Sequence, residues 1–461
     1  MQAAPVIRFQ GNFCGEFAEE EKSEKRSAAI DAALFSLENQ RAEVFVQKGK
    51  EEYMQMIKKN LKGLLITAVI VVLVTSLSAC GGSKDGSSDG KGGFSKKSEE
   101  PISLSILCVG DIMAHSTNIK AALNADGGYD FTDNYEYVKP YIESADLALC
   151  NVETTFSGGT PSGYPLFCAP DELAYAMMDA GFHVGITSNN HMMDTGFDGM
   201  QRTLEILRNQ GMTTVGSRYD GEESWSMIEK NGLKVGLIAY TYETTGVDAQ
   251  SVSINGNFVS KEAADLINSF NYHEMEEDLE KIGEDIEAAE KEGADLIVCY
   301  MHWGNEYQRE PDQNQTYMAQ ALADLGADII FASHPHVLQR VDVLGSADHR
   351  NVPVFYSMGN FISNQRYETL NQNRYTEQGM LAQVDLQILK SSGQVVAETV
   401  KVIPTWVDRY GSPMKYAIIP LDEDLSSNPV LAVSGHLNRA QQALEDVTEL
   451  IGEEYLNGRA V

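Results

Sequence analysis

One pattern limits what this chain can fold into more than any other: short apolar runs that each end in residues able to do chemistry. Ser103–Val109 runs into Gly110-Asp111, Ala145–Cys150 into Asn151-Val152-Glu153, and Val184–Thr187 into Asn189-Asn190-His191. Leu296–Tyr300 delivers His302, and Ile329–Phe331 delivers His334-Pro335-His336. Such runs predict strands buried on both faces, as in a sheet covered by helices. Between them apolar residues recur at helical spacing: Met200, Leu204 and Leu207 within 197–210, and Met275, Leu279, Ile282 and Ile286 in an acidic stretch. Segments 170–180 and 314–325 also read as helices. Alternating strands and helices predict an α/β fold, whose ligands gather at the C-terminal ends of the strands.

The remaining chain adds a strand at 352–356 and an antiparallel pair, 380–389 with 395–403, around a turn at 391–393. The tail from Pro429 reads as a helix with Leu437, Ala440, Leu444, Val447 and Ile451 inward. The chain carries 67 acidic and 35 basic side chains, a net charge of −32, which argues against a nucleic-acid partner. No Gly-rich loop with a following Lys marks a nucleotide site. The six cysteines form no Cys-x-x-Cys pair. Cys108, Cys150 and Cys299 sit in or beside apolar runs and read as core thiols, with a disulfide between two of them left open.

The N-terminal part carries an address. Lys58, Lys59 and Lys62 precede an apolar stretch from Leu64 to Leu77, which is followed by Ser78-Ala79-Cys80-Gly81. The stretch is short for a membrane span, which needs about 20 residues, and suits a signal peptide. Small residues before Cys80 match a lipoprotein cleavage site, so Cys80 is expected to be lipidated and to hold the protein on the extracytoplasmic face of the membrane. Gly81 to Gly93 reads as a flexible tether. The expected organisation is an upstream extension at 1–53, a signal peptide at 54–80, a linker at 81–101, a folded domain at 102–420 and a helical tail at 421–461.

The strand-end residues share one chemistry. Asp111, Glu153, Asn190, His302, His334 and His336 combine carboxylate, amide and imidazole donors, a mixture suited to two divalent ions such as manganese, iron or zinc. His191 offers an acid/base imidazole, with Asp194 three residues on to orient it. Singly, each has a plainer reading: Gly-Asp makes turns, and Asn-rich segments make loops.

Taken together, Gly110-Asp111-Ile112-Met113, Asn151-Val152-Glu153, Asn189-Asn190-His191-Met192-Met193-Asp194, His302-Trp303-Gly304, His334-Pro335-His336-Val337 and Tyr356-Ser357-Met358-Gly359-Asn360-Phe361 resemble the bacterial capsule-synthesis CapA family of poly-γ-glutamate biosynthesis proteins. The resemblance spans about residues 102–410. It implies a calcineurin-like metallophosphoesterase fold, a four-layer α/β/β/α sandwich. It further implies that Asp111, Glu153, Asn190, His302, His334 and His336 hold the metals while His191 and Asp194 do acid/base work. His115, Asn151, Trp303, Glu306, Gln339, Tyr356 and Asn360 are expected beside ligands or substrate, with Trp303, Tyr307 and Tyr356 lining a mouth. Two motifs depart from ordinary metallophosphoesterases. Met113 stands where they carry a histidine, with His115 at a different spacing, and Asn-x-Glu replaces a Gly-Asp pair.

Three functions are compatible with this reading. The first is a lipid-anchored factor in synthesis or export of a surface polymer, working beside membrane-bound poly-γ-glutamate synthesis proteins. The second is a metal-dependent phosphoesterase or other hydrolase unrelated to capsule. The third is a binding lipoprotein without catalysis. Because a signal peptide should open a protein, translation is expected to begin at Met54 or Met56. The codons for Lys48–Glu52 can be almost pure purine, as in a ribosome-binding site. Mass spectrometry of the protein from its native host should find no peptide from residues 1–53; finding one would refute this start.

Overall fold

The computed structural model describes residues 99–244, 252–422 and 424–461. The expected upstream extension, signal peptide, Cys80 and nearly all of the linker lie outside them. Among the described residues no helix is long and apolar enough to cross a membrane.

The chain enters β1 (Ile102–Ile112), passes α1 (Ser116–Ala122) and α2 (Lys139–Ser144), and continues through β2 (Leu147–Val152), α3 (Glu172–Asp179), β3 (Val184–Ile186), α4 (Gly196–Asn209) and β4 (Thr213–Val215). It then forms β5 (Ser226–Lys230), β6 (Leu233–Tyr242), a small hairpin of β7 (Ser253–Ile254) and β8 (Asn257–Phe258), α5 (Lys261–Ala264) and β9 (Ser269–Phe270). Next come α6 (Met275–Lys291), β10 (Leu296–His302), α7 (Gln313–Leu325), β11 (Ile329–Ser333), β12 (Val341–Gly345), β13 (Asn351–Phe355) and β14 (Asn360–Ile362). The last part is β15 (Gln378–Leu389), β16 (Gln394–Tyr410), β17 (Lys415–Pro420), α8 (Pro429–Ser434), α9 (Leu437–Ile451), α10 (Glu453–Leu456) and β18 (Arg459–Ala460).

Two sheets result. The first runs β17-β16-β15-β1-β2-β3-β4, with β14 beside β1 and β18 beside β16; the second runs β12-β13-β11-β10-β6-β5, with β9 beside β6. Within the first, β1 to β4 are parallel, and within the second β6, β10, β11 and β13 are parallel. Side chains alternate across each strand, and here both faces are buried. Leu104, Ile106 and Cys108 of β1 meet Leu237, Val298, Tyr300 and Phe331 of the second sheet in the central core. Leu107 and Val109 point the other way, toward Ile119, Ile142, Leu173 and Leu207. On the outer face of the second sheet, Ile238, Ile297 and Cys299 meet Leu279, Ile282 and Ile286 of α6 and Met318 and Leu322 of α7. The layers are therefore α/β/β/α.

The tail departs from the single helix read from the sequence. Gly435, at φ +72°, ends α8 and lets α9 start in a new direction. Val430, Leu431 and Ala440 then cover Trp406 and Ile419, while Val447 and Ile451 reach the central core. Cys108, Cys150, Cys168 and Cys299 are all free and buried. Burial pushes the Cys108, Cys150 and Cys299 thiols above their ordinary range, so they remain protonated core groups.

Glu398 of β16 is 9% exposed. Burial, followed by the charge of Asp328, pushes its carboxyl up to about 7. The folded state thus holds a proton that the unfolded chain has already released, so stability falls as pH rises from about 4.5 through about 7. Glu398→Gln should therefore stabilise the protein at pH 8, by on the order of 2 kcal/mol, and leave it unchanged near pH 4. Thermal melts across this range check the sign; an equal effect at both ends would contradict it.

Candidate metal centre

Every site residue singled out from the sequence except the lipidation cysteine, Cys80, lies in a described segment, and six strand-end residues converge. Asp111 closes β1, Glu153 follows β2, Asn190 follows β3, His302 closes β10, and His334 and His336 follow β11. All six are 3% exposed or less. Parallel pairing of β1, β2 and β3 brings their C-terminal ends to one edge, and β10 with β11 does the same in the second sheet. The centre therefore lies where two sheet edges meet.

Ligand-type atoms of Asp111, Glu153 and His336 lie within 4.8 Å of one another. His336 Nδ1 is 2.9 Å from Asp111 Oδ2 and 3.1 Å from Asn360 Oδ1, while its Nε2 is 3.7 Å from Glu153 Oε1. On the other side of Glu153, His302 Nε2 stands 3.9 Å from Oε1 and 2.9 Å from Asn190 Oδ1. The His334 ring lies 4.9 Å from that of His302 and 5.9 Å from that of His336. Glu153 is thus flanked by two groups of donors. His334 and His336 hold φ of +104° and +57°, a left-handed backbone unusual for non-glycine residues and concentrated at functional sites. Pro335 between them accepts the Tyr307 N–H at 2.7 Å, pinning the turn.

Two buried carboxylates side by side need compensation, and Asn151 provides it. Its amide donates to Asp111 Oδ1 at 2.8 Å and to Glu153 Oε2 at 3.3 Å. Asn189 holds that amide in turn: it donates to Asn151 Oδ1 at 3.1 Å and to the Val152 carbonyl at 2.8 Å. Burial would raise Asp111, but the hydrogen bond and charge of His336 and the charge of His302 hold its carboxyl below the usual range. Burial, then Asp111, pushes Glu153 well up. Burial pushes His302 down to about 3 and His334 further, whereas Asp111 lifts His336 above its ordinary value against burial. The protons favoured on Glu153 and His336 must leave before both can act as ligands, so metal affinity rises with pH.

The donor set fits a divalent cation. Glu153 Oε1 and the Nδ1 atoms of His302 and His334 are buried with no hydrogen-bond partner among the described residues, and such orphans are costly unless something else satisfies them. Beside this cup, His191 Nδ1 meets Asp194 Oδ2 at 2.7 Å, and the same oxygen accepts the Phe167 N–H at 2.6 Å. A carboxylate accepts, so Nδ1 carries the proton and Nε2 presents its lone pair.

The other expected neighbours divide. Asn360 touches His336, and His115 and exposed Glu306 stand near the cup. Trp303 and Tyr356 do not line a mouth. They are 0% and 1% exposed and pack together behind it, with Trp303 Nε1 donating to the Tyr356 carbonyl at 3.0 Å, because they continue the outward-facing alternation of Met301 in β10 and of Val352 and Val354 in β13. Gln339 is buried too, bonded to Gln315 and the Gln308 carbonyl. Half-buried Tyr307 does remain near His336, at 6.3 Å between rings. Sequence reasoning passed over Asn189, Phe167 and Tyr242. Tyr242, 4.6 Å from His334 between rings, closes β6 and follows the same strand-end rule. Phe167 comes from a loop, and no sequence signal marks it.

The model of the family described as bacterial capsule synthesis protein PGA_cap matches residues 105–365, more than half of the chain. The chain belongs to this family. The capsule biosynthesis protein CapA of Bacillus anthracis is 29% identical over 277 residues, which cover 58% of this chain and 62% of that one. The PGA biosynthesis protein CapA of Bacillus subtilis is 29% identical over 57% of this chain and 64% of its own. A probable polyglutamine synthesis accessory protein of Mycobacterium tuberculosis is 22% identical over 48% and 56%. The matches thus span less than two thirds of these relatives. Among solved structures, a phosphatase from Mycoplasma pneumoniae aligns with 66% of this chain and 94% of its own at a TM-score of 0.38 and 12% identity.

Asn151→Leu keeps the branched shape, at a larger volume, and removes the shared donor. It should cost roughly 2–4 kcal/mol, as expected when buried charges lose their compensation, and divalent cations should restore part of the loss. Thermal melts with and without manganese check both; an unchanged melting temperature would show that the amide bridge contributes nothing.

Proposed function

We propose that this protein is an accessory factor for synthesis or export of a surface polymer of the poly-γ-glutamate kind, held at the extracytoplasmic face of the membrane through Cys80. Its domain carries a centre for two divalent ions, manganese, iron or zinc. Membership of the capsule-synthesis family and the names of the Bacillus relatives support the first part. The observation that carries the second is the convergence of Asp111, Glu153, Asn190, His302, His334 and His336, with Glu153 between the two donor groups. Asp111 and His336 would hold one ion, Asn190, His302 and His334 the other, and Glu153 would serve both.

Bound ions would supply a Lewis acid and a hydroxide at neutral pH. The chain's own groups do the rest. Asp194 holds the His191 ring with the Nε2 lone pair free, so that Nε2 can take a proton from an attacking water and, as the imidazolium so formed, return it to a leaving oxygen. A carboxylate-rich polymer meets a chain of net charge −32, so its attachment needs cations, which the centre would provide. The His191–Asp194 pair favours a second reading, a metal-dependent phosphoesterase with a cell-surface substrate unrelated to capsule.

Metal analysis of the purified protein should give about two ions per chain, with Asp111→Ala and His334→Ala each losing metal while staying folded; unchanged stoichiometry in both would refute the ligand set. Hydrolysis of a phosphodiester and a phosphomonoester under manganese then separates the readings. Metal-dependent turnover abolished by His191→Ala supports the phosphoesterase, and bound metal without turnover supports the polymer role.

A further inference from the structure

His115 stands outside both the ligand set and the His191–Asp194 pair. Three elements fix its ring. The Asn364 N–H donates to Nδ1 at 3.2 Å. The Phe167 ring meets it edge-on at 5.1 Å, and that ring meets His191 in the same way at 4.6 Å. Gly163 of the same loop packs so closely that a Cβ there would lie 2.9 Å from the His115 Cα. His115 therefore sits against the Phe167 ring that also packs on His191, within electrostatic reach of His336 and His191.

The bond from Asn364 decides the tautomer. A backbone N–H can only donate, so Nδ1 presents its lone pair and the proton of the neutral ring sits on Nε2. A nitrogen that carries a proton cannot ligate a metal. This separates His115 from the histidine that metallophosphoesterases carry where this chain has buried Met113. Burial pushes His115 down to about 3, with the charges of His336 and His191 acting in the same direction, so the ring is neutral at ordinary pH. Its Nε2 has no partner among the described residues and is not one of the buried unpartnered atoms, and the side chain is only half-buried. A donor that is oriented, uncharged and accessible beside these residues is suited to an oxygen that arrives with the ligand.

We propose that His115 is a substrate-contacting residue of this centre, donating a hydrogen bond from Nε2 to an anionic oxygen of the bound molecule. The assignment rests on the reading of the centre as a metal site. Two sources share the required chemistry, a phosphoryl oxygen and a carboxylate of a γ-glutamyl chain. Among the described residues no lysine or arginine side chain bonds to the six converging residues, so a neutral donor complements cations without adding charge of its own.

The test uses the full-length protein loaded with manganese, with inorganic phosphate and γ-glutamyl-glutamate as probes in calorimetric titrations. His115→Phe keeps a ring against Phe167 and removes the donor; His115→Gln keeps a donor. Metal stoichiometry should be unchanged in both. His115→Phe should weaken one probe about tenfold, the loss expected for a hydrogen bond to a charged group, and His115→Gln should recover part of it. Weakening of phosphate alone assigns a phosphoryl oxygen, and weakening of the dipeptide alone assigns a polymer carboxylate. Full metal with equal affinities in wild type and His115→Phe, or with no affinity for either probe, overturns the role of His115. Absence of metal from the wild type overturns the metal reading itself. Nitrogen NMR of the histidine rings, with His115 assigned from its loss in His115→Gln, should show the Nε2-protonated tautomer; the other tautomer also overturns the proposal.

Discussion

Two carboxylates buried side by side, Asp111 and Glu153, are the constraint around which this domain is arranged. Burying one ionised carboxylate is expensive, and burying two in contact is worse unless donors or cations face them. The structure surrounds them with the Asn151 amide, the His336 ring and the edge of two sheets. Asn151 is held by Asn189, which also accepts the His191 N–H at 3.1 Å, so one amide network joins the carboxylates to the His191–Asp194 pair. In the Asn-x-Glu motif the asparagine side chain thus fills the space beside the carboxylates and its amide offsets part of the cost of burying them.

The backbone accommodates this by close approach. Asp111 donates its N–H to the Gly359 carbonyl at 3.0 Å, and a Cβ on Gly110 would lie 1.9 Å from that same oxygen. Only glycine lets β1 and the turn before β14 come so near, which carries Asn360 to His336. The Gly-Asp pair at the end of β1 thus has two separate causes, one steric and one chemical.

The layers and most of the centre were legible in the sequence because strand ends are governed by local rules. An apolar run long enough to cross a sheet, followed by Asp, Glu, Asn or His, places that residue at an edge, and parallel pairing brings the edges together. Contacts made by loops were not legible. Phe167 reaches His191 through a segment with no periodicity. Trp303 differs: Ile297, Cys299, Met301 and Trp303 alternate onto the outer face of β10, so strand periodicity already places the residue after His302 in the outer core. The break in the tail at Gly435 was likewise hidden, since helical spacing on either side of one glycine looks continuous.

Asp111, Glu153 and Asn190 come from one sheet, and His302, His334 and His336 from the other. Neither sheet owns a complete set of donors. Such a centre is a late product of folding, because it exists only after the two sheets have docked through Leu104, Ile106, Val298 and Phe331. A nascent or partly folded chain presents scattered single ligands with little hold on a cation. Any metal loading would thereby be tied to completion of the core, because the candidate donors come together only when the two sheets have docked.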